Sequence, residues 1–177
     1  MKETLIQQFE ETTFDLGKVL SSFTQEEFNK IPFEGSWTAG QVAEHLFKSE
    51  SNIPRVLIGN SKETATDPFE KTGLIRSIFL DYSKKMKSPE FILPSDEPKN
   101  KDYFMAGFER TRKELRNCID TIDLSKTFID FTFPQIGQLT GWEWICFGVS
   151  HSRRHIRQMK NIAKKLKTLQ KAVDDAA

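Results

Sequence analysis

The chain has 177 residues, with 26 Lys and Arg against 25 Asp and Glu and a formal net charge of +1. That length fits one domain, residues 1–177, and 37% hydrophobic residues including 15 Phe and 3 Trp can fill a core, which argues against global disorder. The balanced charge supplies no long-range field for a polyanion, and no apolar run reaches the ~18 residues of a membrane span, so neither nucleic acid nor a membrane is an expected partner.

The opening residues MKETLIQQFEETTF interrupt their apolar positions with acids and amides, unlike a secretory leader, so a cytoplasmic location is expected. Leu5, Phe9, Thr12, Leu16, Val19 and Phe23 recur at three- and four-residue steps and predict a first helix. Thr24 and Glu27 have capping-box spacing for a short turn before Pro32. A second helix starts at Ser36 or Thr38, with Val42, His45, Leu46, Ser49, Ile53 and Val56 on one side. Pro54 should kink it or end it near Ile53. Trp37 reads as a staple on that start, with substrate stacking as the alternative.

Residues 60–100 are the least regular third of the chain. Thr72 to Tyr82 can form a short helix or an extended segment, and Pro89, Pro94 and Pro98 punctuate a loop. So long a connection must cross the molecule, cover a site, or both, while Ile75, Ile78, Phe79, Leu80, Phe91 and Ile92 still need burial. A third helix follows from about Asp102 to Ile122, then a short extended stretch through Phe128, Ile129, Phe131 and Phe133. The fourth helix is capped by Thr140 and runs to about Leu169. Four amphipathic helices with one long crossover between the second and third describe an all-α four-helix bundle.

Cys118 and Cys146 are too few for a disulfide framework and read as small buried hydrophobes. The histidines carry more. On a wheel of about 100° per residue, Trp144, Gly148, His151, His155, Met159, Ile162 and Leu166 share one stripe of the fourth helix. Arg153, Arg154, Arg157, Lys160, Lys164 and Lys165 lie on the other side, and the basic stretch to Lys171 reads as a solvated face. His151 and His155 are therefore inward, one turn apart, and His45 is inward on the second helix. One such histidine is ordinarily a hydrogen-bonded core residue. Three buried imidazoles each need a partner, and a shared metal supplies it. Three protein nitrogens leave a coordination position open, as in catalytic rather than structural sites. Imidazole suits Zn, Ni, Cu or Fe. His151-Ser152-Arg153-Arg154-His155 lacks the glutamate of HExxH, which disfavours a zincin-type protease.

Two blocks resemble the DinB/YfiT-like superfamily of metal-binding bundles. One is Ser36-Trp37-Thr38 followed by Gln41 to Leu46 around His45. The other runs from Pro134 to Thr140, through Glu143-Trp144, to His151 and His155 with Arg154 and Gln158 beside them. The resemblance implies an up-down-down-up bundle, His45, His151 and His155 as ligands of a divalent metal such as Zn or Ni, and frequently a homodimer. It also implies thiol-dependent S-transferase or isomerase chemistry with a low-molecular-weight thiol in the characterised branches. Some members carry a histidine before the proline of the second block, where this chain has Phe133.

Ser49, Asn52 and Gln158 are candidates to orient the histidines or meet substrate. Residues 141–149 are apolar nearly all round and need cover from the 60–100 segment or, as the favoured expectation, a second subunit. The expected function is a metal-dependent S-transferase or hydrolase, with metal-activated thiol or water attacking an electrophilic small molecule. The alternative is a non-catalytic metal-binding or interaction module of the same fold.

Overall fold

A computed structural model describes residues 1–175; the last two positions of the expected 1–177 domain lie outside the described residues. The chain is mostly helical. Helix α1 spans Lys2–Ser21 and α2 Gln25–Asn29; α3 spans Ala39–Glu50, α4 Ile53–Leu57 and α5 Thr72–Phe79. A 3-10 turn at Glu90–Ile92 precedes α6, Lys101–Thr121, and α7 covers Gly141–Asp174. The expected capping box of Thr24 with Glu27 opens α2, and a second, of Thr38 with Gln41, opens α3.

The proline in the second predicted helix acts earlier than expected. Pro54 has no N–H to return to the carbonyl of Glu50 and its ring crowds that carbonyl. The helix therefore stops at Glu50, turns through Ser51 and Asn52, and restarts as α4 with Pro54 in its first turn. The mostly helical architecture agrees with the expected all-α class and carries a small sheet besides, which includes the extended stretch expected through Phe128 to Phe133. Strands β1 (Ser61–Lys62), β2 (Thr127–Phe133) and β3 (Gly137–Thr140) form a small antiparallel sheet in the order β1-β2-β3. A tight turn after Pro134, with Gln135 at φ 65° and Gly137 at φ 90°, reverses β2 into β3. Short strands with an irregular register leave only a weak period-two signal.

The four long helices pack α1 on α6 and α7, and α3 on α6 and α7. Their apolar side chains form two separate clusters. One gathers Leu5, Phe9, Ile53, Leu115, Cys118, Trp144 and Cys146; the other gathers Leu16, Val19, Val42, Leu46, Phe104, Phe108, Met159 and Ile162. Helices α1 and α7 run from the first cluster to the second, and α3 and α6 run the other way. Between the clusters lies a buried polar layer: Thr12 on α1, His45 and Glu50 on α3, Thr111 and Arg112 on α6, and His151, Ser152 and His155 on α7. Helices α1, α6 and α7 change cluster where they contribute to this layer, and α3 reaches the first cluster only through α4.

All residues from Gly141 to Ser150 are buried within this one chain. Their cover is α5 and β3 packed on α7, with Phe69 stacked on Trp142 and Phe133 against Phe147. The cover expected at 141–149 from a second subunit thus comes from the chain's own crossover and its β2–β3 hairpin. Phe91 departs from expectation too: it is 67% exposed and stands at the rim of a cavity. Among the described residues no helix is long and apolar enough to cross a membrane.

Candidate metal centre

His45, near the middle of α3, and His151 and His155, one turn apart on α7, are all buried, and each offers a ring nitrogen within 4.8 Å of the others. The three Nε2 atoms face one another: His151 Nε2 is 3.3 Å from that of His45 and 3.0 Å from that of His155. Four-coordinate zinc, with nitrogens at 2.0–2.1 Å, separates its ligands by about 3.3 Å. The observed spacings lie close to that value.

The outer ring nitrogens explain the facing. His45 Nδ1 donates to the main-chain carbonyl of Ile92 at 2.9 Å, and His155 Nδ1 donates to Gln158 Oε1 at 2.9 Å. Each acceptor places the ring proton on Nδ1 and leaves a lone pair on Nε2. Both lone pairs aim at His151 Nε2, and one N–H there cannot serve two acceptors well. A cation among them satisfies all three. His151 Nδ1, which then carries the proton, is buried with no hydrogen-bond partner among the described residues. The ring of His151 is held instead by stacking on Phe147, 5.2 Å between centroids and 19° between planes, and by the edge of Phe79.

Burial favours the neutral, ligating form. Desolvation lowers His45 and puts His151 well below the ordinary imidazole value. Desolvation, then the neighbouring His45, brings His155 down to about 3 against the opposing bond to Gln158. The donor set, its facing geometry and its neutral state fit a divalent metal ion.

The centre opens onto a cavity of about 790 Å³. Ser49, Asn52 and Gln158 all line it, but only Gln158 meets a histidine ring. Ser49 Oγ donates to the carbonyl of His45 within its own helix, and Asn52 makes no cap bond at the start of α4. Trp37 packs its indole 5.3 Å from the His45 ring, so it serves the helix start and the cavity wall together. Phe131, Phe133, Trp144 and Phe147 make an aromatic wall. Arg154, placed by the wheel away from the histidine stripe, reaches the crossover and donates to the carbonyls of Phe79, Asp81 and Lys84. The crossover thus covers the site, as its length suggests.

A buried ion pair lies beside the centre and meets α7 at Ser152, the neighbour of His151. Arg112 Nη2 lies 2.6 Å from Glu50 Oε2, and Ser152 bonds to both side chains. The guanidinium also lies over the Phe9 ring at 5.3 Å, so one side chain touches α1, α3 and α7. The signal available in the sequence is an acid and an arginine on otherwise apolar stripes: Glu50 in step with Val42 and Leu46, Arg112 in step with Phe108 and Leu115.

An uncharacterised protein, YuaE, of Bacillus subtilis (strain 168) is 23% identical over 158 residues, covering 89% of this chain and 96% of that relative. No solved structure matches. The family model of the DinB superfamily matches residues 8–159, a span that holds all three histidines, the whole of α3 and the first half of α7. With its three-histidine centre set between α3 and α7, the chain belongs to the DinB superfamily.

Proposed function

We propose that the protein is a metal-dependent enzyme in which His45, His151 and His155 hold a divalent ion, zinc or nickel. Its reaction would be transfer of a low-molecular-weight thiol to an electrophilic small molecule, or hydrolysis of one. The supporting observation is a set of three buried, neutral nitrogens converging beside a cavity of about 790 Å³. When bound, the ion supplies a Lewis acid that lowers the pKa of a thiol or water near it.

The remaining work falls to the chain. Ile92 and Gln158 hold His45 and His155 in the tautomer whose Nε2 is free. Phe79 and Phe147 fix the plane of His151. The aromatic wall keeps water from one side of the centre and offers an apolar body a surface, while Ser49 and Asn52 add polar groups. The same reading takes residues 1–177 as one domain and the opposed directions of α1 and α7 against α3 and α6 as an up-down-down-up four-helix bundle. It includes a cytoplasmic location and a homodimer, the latter checked by light scattering.

Elemental analysis of protein purified without a metal-affinity tag tests the centre. Near-stoichiometric metal that disappears in His151→Ala is expected, followed by chelator-sensitive conjugation of thiols to electrophiles. Absence of metal under every loading condition refutes the centre. Metal without turnover across a thiol and electrophile screen favours the non-catalytic binding module.

A further inference from the structure

The wall of the cavity is electrically one-sided. Lys48, Lys84, Lys85, Lys87, Arg154 and Arg157 line it, and no Asp or Glu does among the described residues. The chain as a whole is balanced, 26 basic against 25 acidic residues, so the asymmetry is local. Three of the six cations are occupied: Lys48 pairs with Glu44, Lys84 with Asp81, and Arg154 holds the crossover carbonyls. Lys85, Lys87 and Arg157 make no ion pair among the described residues. A lysine-rich loop is commonly just solvated. Here, however, Arg157 comes from α7 and joins the loop by stacking its guanidinium over the Tyr82 ring at 4.4 Å. That contact fixes the plane of the guanidinium and leaves its N–H edge available for a two-point bond to an anion.

The lining also changes character along α7. Before His151 it is Trp144 and Phe147; after it come Arg154, Arg157, Gln158 and Asn161. Arg157 stands six residues beyond His151, about 9 Å along the axis. Along α7 the cavity therefore has an apolar arm and a cationic arm with the histidines between them, the cationic arm being bordered also by Tyr82 and Met86 from the loop.

We propose that the site selects an amphipathic organic anion, a small molecule whose carboxylate or phosphate docks on Arg157, Lys85 and Lys87 while its apolar body passes the three histidines toward the aromatic wall. This assignment of substrate class rests on the enzymatic reading above, but the recognition belongs to the chain's own cations and needs no metal. The test is calorimetric titration of 6-phenylhexanoate and its uncharged amide, 6-phenylhexanamide, into metal-free and zinc-treated protein. Phenylalkyl phosphate, run beside the carboxylate, distinguishes the two kinds of anion.

The acid should bind about tenfold more tightly than the amide, with or without zinc. The triple variant Lys85→Gln, Lys87→Gln, Arg157→Gln should erase that preference, leave the amide affinity unchanged, and keep its circular dichroism spectrum. A preference seen only with zinc would place the carboxylate on the metal and overturn the proposal. Preference surviving in the triple variant, or no binding of either ligand, overturns it as well. Failure of the protein to take up zinc would refute the metal centre alone, because the metal-free comparison still reads the cationic arm.

Discussion

Replacing Arg112 by Met isolates the energetics of the polar layer that supports the metal centre. Arg112 is 4% exposed and its partner Glu50 is 0% exposed, so the variant leaves a carboxylate inside the protein with only Ser152 to bond it. Loss of one member of a buried pair costs about 3–5 kcal/mol, a large share of the stability of a domain this size. Removing both charges, in Arg112→Met with Glu50→Gln, leaves no buried ion and should cost about 1–2 kcal/mol. The coupling between the two sites is then about 2 kcal/mol or more. Urea unfolding followed by circular dichroism, in EDTA, measures all four corners of the cycle.

A pH arm adds a second check. Burial already pushes Glu50 up, against the charge and hydrogen bonds of Arg112 and the bond from Ser152. Without Arg112 its folded pKa stands further above the unfolded value, so Glu50 takes a proton on folding. Stability is then fullest below the unfolded pKa and falls as pH rises through the folded one. The single variant should be less deficient at pH 5 than at pH 8. Equal costs for the single and double variants at pH 7.5, or a single-variant cost below about 1 kcal/mol, would refute the reasoning.

Gln158→Leu removes the acceptor that orients His155, and metal affinity measured by chelator competition should fall about 10- to 100-fold, with His151→Ala falling further. In metal-free protein the three histidines fold neutral with lowered pKa values, so their contribution is complete above about pH 6.5 and drains away as pH falls toward about 3, the value for His155. Urea midpoints should show a decline steeper than the about 1.4 kcal/mol per pH unit of a single proton between pH 6 and 5; a flat profile would contradict neutral burial. Gly141→Ala sets a Cβ at 2.7 Å from the Leu124 Cα, a backbone atom that cannot swing aside, and should cost about 1–3 kcal/mol in the same assay.

What the sequence makes legible is local or periodic. The three capping threonines, Thr24, Thr38 and Thr140, announce helix starts because their partners lie within one turn. His151 and His155 share the inward stripe of α7 because 3.6-residue spacing fixes both. What escapes is pairing across elements. Glu50 and Arg112 are 62 positions apart, and Ser152 is a further 40 beyond Arg112, so no window reports that they meet. Likewise, Phe91 looks like a core residue by composition, yet a three-residue 3-10 turn holds it at the cavity rim. Ser49 shares the face of His45 as the wheel indicates, but its hydroxyl finds a nearer carbonyl in its own helix.

The acceptor that orients His45 is the main-chain oxygen of Ile92 rather than a side chain. Residue 92 can therefore change identity without disturbing the imidazole, and alanine scanning would pass over it. Loop length cannot change so freely. Deleting or inserting a residue between Pro89 and Pro94 would carry that oxygen away from α3 while leaving every histidine in place. In this chain the spacing of the crossover around this turn, more than the residue types in it, is what holds the imidazole in place.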